Sequence, residues 1–307
     1  MIYARSCRCG STSQPCETRT VIDTATRLAT YRSRLDAAGL SRYAHSLSEA
    51  ALPSVRLAAD AQIDPATVGA SRLGGSPDLP ADIPWPVSDD GTPLSFIAQL
   101  DLEETAAHDA EGILPKTGLL SFFYEAATQS AWGFNPADHG AWAVVHTAAD
   151  FTIAPRDVPS AMPDTGRFTA VGLSPHLELT FVPWESFLVE SLGMTREELF
   201  AYADVLASGD APIHRLLGHP DPVQGDMQVE CQLVTNGLYC GDASGYQDPR
   251  AAQLRPGAAD WRLLFQVDSQ DEAGMMWGDV GRLYYWIRHD DLIAGHWDLS
   301  WLVFQCG

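Results

Sequence analysis

Apolar residues recur along this chain in two rhythms. Between 18 and 50, Val21, Ile22, Ala25, Leu28, Ala29 and Leu35 return at three- and four-residue spacing, the period of one helix face. Gly39 interrupts that pattern, and a second short helix is predicted from Ser41. From 53 onward the apolar bursts shorten and suit strands at 53–57, 94–100, 119–124, 141–146, 176–182, 261–267 and 282–287, with a closing run over 297–305. The run at 176–182 alternates in character, as a half-buried strand does. The helical period returns over 183–208. There Thr195 and Glu198 form a capping box, and Leu199, Tyr202, Ala203 and Leu206 supply the apolar face. Residues 74–93 carry Pro77, Pro80, Pro84, Pro86 and Pro93, with Trp85 among them. Proline cannot donate to a strand ladder, so this stretch reads as an ordered loop or an edge. Residues 155–164 read as a second Pro-rich connection. Short strands mixed with helices, without regular strand–helix–strand alternation, predict an α+β fold.

Part of the pattern is written twice. A Leu-Gly turn leading to Pro-Asp occurs at Leu73–Asp78 and again at Leu217–Asp221. An apolar strand follows each time, ending in Gln99-Leu100-Asp101 and in Gln266-Val267-Asp268. A glycine-led aromatic strand closes each copy, from Gly118 to Tyr124 and from Gly281 to Ile287. The repetition predicts two β-rich pseudo-repeats, about residues 65–150 and 212–306, related by a pseudo-two-fold and sharing one core. Gln99 is then equivalent to Gln266, and Asp101 to Asp268. Neither half can cover its own apolar strands, so 51–307 is expected to form one body. Residues 1–50 add an N-terminal arm, irregular over 1–17, and a helix.

The chain has 307 residues and is 46% hydrophobic, enough for a sizeable core. With 19 Lys and Arg against 40 Asp and Glu, its net charge is −21. That balance disfavours nucleic acid and anionic membranes, both of which ask for clustered Lys and Arg. The first 45 residues run the other way, with seven arginines against Glu17, Asp23 and Asp36, so a basic arm could lie across an acidic body. Six cysteines in this length make no dense disulfide framework, and Cys7, Cys9 and Cys16 would need a fourth ligand to hold a metal. No apolar run approaches the ~18 residues that span a bilayer. The first ten residues lack the apolar stretch of a secretory signal. The expected setting is cytoplasmic.

Gln99, Asp101, Gln266 and Asp268 are candidates for a site: two strand-end carboxylates meeting across a pseudo-two-fold could exchange protons or hold a cation. The competing expectation is that each Asp caps the turn after its strand and each Gln satisfies backbone. Trp277-Gly278-Asp279 could form a stacking surface, or a turn in which Gly takes an unusual angle and Trp plugs the core. His214, His219 and Asp221 could approach a metal with His289, Asp290, Asp291 or His296. Yet His214 and His219 straddle a Gly-Pro turn and lie on no helix that would aim both inward, so no metal site is assigned. No Gly-x-Ser-x-Gly occurs, and Gly74-Gly75 runs into prolines rather than a helix that could cradle phosphate.

Several words together resemble the YwqG-like family of bacterial proteins, a domain of unknown function. They are Gly74-Gly75-Ser76-Pro77, Pro84-Trp85-Pro86, Phe96 through Leu102, Gly118 through Phe123, Leu216 through Asp221, Leu263 through Ser269, and Met276-Trp277-Gly278-Asp279. Gln305-Cys306 resembles the family's ending. The resemblance covers about 52–306. It implies an α+β fold in a soluble bacterial protein and supplies no agreed activity or catalytic set. Some relatives are associated with toxin–immunity neighbourhoods, which implies a binding role.

Two functions follow as expectations. The first is a binding protein that captures a peptide or protein partner, basic or extended, in a groove between the halves. Its binding candidates are Trp85, Gln99, Asp101, His219, Asp221, Gln266, Asp268, Trp277 and Asp279. It asks for no cofactor and no metal. The alternative is a carboxylate- or metal-dependent enzyme acting on a small or peptidic substrate, with Asp101, Asp268 and Asp279 converging on a histidine.

Overall fold

Glycine and proline cut the chain into short strands that pair antiparallel, β4 to β6 and β10 to β12 as successive neighbours and the central strands with partners far away in sequence. The computed structural model describes residues 24–207 and 212–307. Its strands are β1 Leu52–Ala59, β2 Arg72–Leu73, β3 Asp78–Leu79, β4 Ser95–Asp101, β5 Leu119–Tyr124, β6 Trp142–Thr147, β7 Ala154–Pro155, β8 Val171–Thr180, β9 His214–Leu216, β10 Trp261–Asp268, β11 Arg282–Arg288 and β12 Trp301–Gln305. Ten of them form one sheet in the order β12-β11-β10-β9-β1-β8-β2-β4-β5-β6, while β3 and β7 pair apart. Every pairing is antiparallel.

The sheet curls until its two ends meet. Across the interior, Phe122 of β5 packs on Phe265 of β10 and Tyr285 of β11, with ring centroids 4.5 and 5.0 Å apart. At the rim, Trp142 of β6 stacks edge-on against Trp301 of β12 at 4.8 Å and donates its indole N–H to Ser300 O at 3.0 Å. The outer side of β12 is met by the loop before β6, where Phe304 N–H donates to Trp132 O at 3.0 Å. One apolar core fills the curl and includes Trp261, Trp277 and Trp286.

The helices are α1 Thr24–Ala37, α2 Ala44–Glu49, α3 Leu102–Ala106, α4 Phe187–Glu190, α5 Arg196–Leu206, α6 Gln228–Val234, α7 Ala243–Gln247, α8 Ala251–Leu254 and α9 His289–Ala294. α1, α2 and α5 bury Tyr31, Leu35, Leu47, Tyr202 and Val205 in a second cluster. Tyr202 donates to Val182 O at 2.7 Å and so accepts from Tyr31, whose hydroxyl lies 2.8 Å away. The capping box is present: Glu198 N–H donates to Thr195 Oγ1 at 3.3 Å, and Thr195 N–H to Glu198 Oε2 at 2.9 Å. None of these helices is long and apolar enough to cross a membrane.

The α+β class and most strand positions agree with the sequence pattern. Three expectations need correction. The strand expected at 176–182 is β8 at Val171–Thr180, because Gly172 and Pro175 do not break it. A side chain at Gly172 would come within 2.7 Å of Ile63 O, so the glycine admits the neighbouring loop. Pro175 lies beyond the end of two-residue β2, where no ladder bond is asked of it. The helix expected over 183–208 is two, α4 and α5. The closing strand is a single turn at Trp297–Leu299 followed by β12. The segment carrying α6, α7 and α8 had no predicted element. The arm at 1–17, with Cys7, Cys9 and Cys16, lies outside the described residues, as does the start of the first helix through residue 23.

Candidate functional site

Three neighbouring strands in the middle of the sheet set charged side chains on one face. Arg56 of β1 stands directly opposite Arg215 of β9 and, on its other side, opposite His176 of β8. Glu178 lies two residues from His176 and therefore on the same face. Like charges directly across a ladder repel. Glu178 answers both arginines, with its carboxylate 3.9 Å from Arg56 Nη1 and 3.3 Å from Arg215 Nη2. From α1, Arg27 Nη2 reaches the same carboxylate at 3.1 Å. Backbone carbonyls aim the guanidiniums: Arg56 donates to Pro212 O at 2.8 Å and Arg215 to His219 O at 2.9 Å.

Above this face opens a pocket of about 420 Å³. Phe181, Pro183 and Trp184 wall one side, Ala203 and Leu206 of α5 another, and Pro220 and Pro222 a third. Arg282 of β11 and Asp221 complete the lining, with Arg282 Nη1 2.7 Å from Asp221 Oδ2 and its Nε 3.0 Å from Asp268 Oδ2. Beneath, His214 is fully enclosed. Burial pushes its imidazole down to about 4, and the charges of Arg56 and Arg282 add to the push. Its Nδ1 lies 3.1 Å from the Asp268 backbone N–H and must accept from it, so the proton sits on Nε2 and goes to Gln270 Oε1 at 3.0 Å.

Of the residues singled out by sequence, Asp221 lines this pocket and Asp268 supports it through Arg282. Asp268 also accepts from Ile213 N–H at 2.7 Å and Ser269 N–H at 2.9 Å. Asp101 instead caps α3, accepting from Glu103 N–H at 2.8 Å, and shares no partner with Asp268. Gln99 and Gln266 are fully buried. Gln99 Oε1 accepts from Asp78 N–H at 2.8 Å and its Nε2 donates to Ala70 O at 3.1 Å. Gln266 Oε1 accepts from Asp221 N–H at 2.8 Å and its Nε2 donates to Ile213 O at 2.9 Å. His219 points away from the large pocket into a smaller one of about 150 Å³ and contacts Ala50 O at 2.6 Å. Trp277 is enclosed, with its indole N–H on Asp268 O at 3.2 Å, and Gly278 beside it takes φ +54°. Asp279 is exposed. Trp85 is half-buried, edge-on to Phe123, and donates to Leu94 O at 2.8 Å. Among the described residues, no three His, Cys, Asp or Glu side chains are grouped to hold a metal ion.

The arginines that make the pocket were not singled out from sequence. A signal existed: Arg56 and Arg215 each interrupt an apolar stretch, and Arg215-Leu216 precedes its turn as Arg72-Leu73 precedes the first.

A match to a domain of unknown function, DUF1963, covers residues 71–306. Glu178, Arg215, Asp221 and Arg282 fall inside that span, whereas Arg27 and Arg56 come from the helix and strand that precede it. No curated protein matches the chain.

Proposed function

The chain belongs to the DUF1963 family, and we propose that it is a binding protein that captures a peptide or protein partner in the groove where two similar halves meet. The observation that carries this reading is the open pocket of about 420 Å³ at the middle of the sheet. Aromatic and proline walls above a floor of guanidiniums suit an extended polypeptide segment, whose apolar side chains and polar groups are met together. The net charge of −21 favours a partner that is basic over much of its surface, while the pocket grips one segment of it.

The same reading takes 65–150 and 212–306 as copies of one unit. The bonds around Gln99 recur around Gln266. Gly74 and Gly75 take φ +56° and +74°, and Leu217 and Gly218 take +58° and +71°. The ladder shifts between Phe96 and Ala98 in β4 and between Leu263 and Phe265 in β10, each time two residues before the glutamine. β1 pairs with β9 and β8 with β2, so the leading strand of each unit would complete the sheet of the other. That exchange puts the pocket at the seam. The Met276-Trp277-Gly278-Asp279 word and its companions support counting the chain among YwqG-like bacterial proteins acting in the cytoplasm.

The enzymatic alternative asks Asp101, Asp268 and Asp279 to converge, and no observation favours it. Panning a displayed random-peptide library on the full chain tests the binding reading. It should enrich peptides with a shared motif, retained about tenfold less by Arg56→Gln. No shared motif, or equal retention by the variant, would contradict it.

A further inference from the structure

The Leu-Gly turn leading to Pro-Asp carries Ser76 before its proline at the first occurrence and His219 at the second. His219 Nε2 lies 2.6 Å from Ala50 O. A carbonyl can only accept, so Nε2 holds the proton and Nδ1 is left as an acceptor. The residue's other hydrogen bonds are made by its backbone, with Thr180 Oγ1 and Arg215, so no described residue donates to Nδ1. Burial holds the ring's pKa down to about 4, which keeps that lone pair available at neutral pH. His219 lines the smaller cavity of about 150 Å³. Trp286, in the same lining, is 2% exposed, and its buried indole N–H has no hydrogen-bond partner among the described residues. Phe187 and Leu188 of α4 and Trp261 and Leu263 of β10 supply apolar wall. Arg262, the charged residue of the lining, is held by Glu111 at 2.5 Å.

One small apolar cavity thus brings together an acceptor and a donor that no described residue satisfies. Leaving such groups unmet inside a protein is costly. A hydroxyl is the smallest group that serves both, since it donates and accepts at one oxygen, whereas a carboxylate only accepts and an ammonium only donates. With Arg262 already paired, the lining favours a neutral ligand. A cavity of about 150 Å³ takes a single six-membered ring. Indole and phenyl walls favour an aromatic one. We propose that this cavity binds a neutral phenol ring, its hydroxyl against His219 Nδ1 and the Trp286 indole N–H, its ring among Phe187, Trp261 and Leu263. Only Pro220 lines both this cavity and the large pocket, so either assignment can fail without the other.

The test follows the His219 Nδ1 nitrogen resonance of the full chain, identified by its loss in His219→Asn, through titrations with four probes. Phenol carries both ring and hydroxyl. Fluorobenzene has the ring without a donor, and cyclohexanol the hydroxyl without an aromatic ring. N-acetyl-tyrosine amide carries the phenol on a peptide backbone. Phenol should bind about tenfold tighter than fluorobenzene or cyclohexanol, and it should move the Nδ1 resonance as the lone pair accepts a hydrogen bond. N-acetyl-tyrosine amide binding tighter than phenol identifies a tyrosine side chain as the source of the ring, and the reverse order a free small molecule; both sustain the proposal. Leu188 is 39% exposed, so Leu188→Trp can fill the cavity from its wall at unaltered melting temperature, and it should weaken phenol about tenfold. Fluorobenzene or cyclohexanol binding as well as phenol would overturn the proposal. So would an Nδ1 resonance that saturating phenol leaves in place, or undiminished phenol binding in Leu188→Trp.

Discussion

His214 is the residue whose chemistry most directly reports the pocket's field. Its folded pKa of about 4 lies below the ordinary 6.5, so the unfolded chain binds the extra proton first. Neutral His214 thus contributes stability that is whole above pH 6.5 and is lost as pH falls toward 4. By pH 5 the loss is about 2 kcal/mol. His219, pushed down to about 4 by burial, acts in the same sense. Glu230 acts in the opposite sense: burial lifts its carboxyl to about 7, so it adds stability on acidification that is lost as pH rises through 7. Comparison with a variant cancels both. In His214→Asn, whose Oδ1 can accept the Asp268 N–H, the fall in unfolding free energy between pH 7 and pH 5 should shrink by about 2 kcal/mol. An unchanged fall in chemical denaturation at the two pH values would mean that His214 is not held neutral. At this scale the sequence was half legible. A polar residue at a strand end could be singled out, but whether Gln99 served backbone or ligand depended on Ala70 and Asp78, which the fold brings to it.

Elements were more legible than sites where their pattern was self-contained. β5 spans Leu119–Tyr124, as its aromatic run indicated, and α5 begins at the capping box that announced it. Legibility failed where a partner element does the work. β2 and β9 are too short to show a period, and α6 is buried on most of its faces, so no polar stripe marked it. The connection between β10 and β11 separates two residues that the sequence grouped. Trp277 is enclosed by the core and meets Tyr124 and Phe168 edge-on, whereas Asp279 is exposed. Trp277→Ala should therefore cost about 3–5 kcal/mol by cavity formation. Asp279→Ala should stay within about 0.5 kcal/mol. Thermal melts of the two variants check this, and equal destabilisation would show that the turn depends on the aspartate side chain after all.

For the whole molecule, the decisive feature is where the pocket falls. β1, β8 and β9 meet at the middle of a ten-stranded sheet, and the charged face they make is covered by α1 and α5. A duplicated sequence pattern suggested a groove between halves but not these arginines, because strand register sets Arg56 beside Arg215 and α1 brings Arg27 to them from far away in the chain. The central claim is that this pocket is where a partner binds. Hydrogen–deuterium exchange on the full chain, with and without the most enriched peptide from the displayed library, tests it directly. The account predicts slowed exchange in 52–59, 171–184 and 212–222, with the Trp85 loop and 276–281 unchanged. Slowing confined to the Trp85 loop or to 276–281, with the three central segments unaffected, would contradict it.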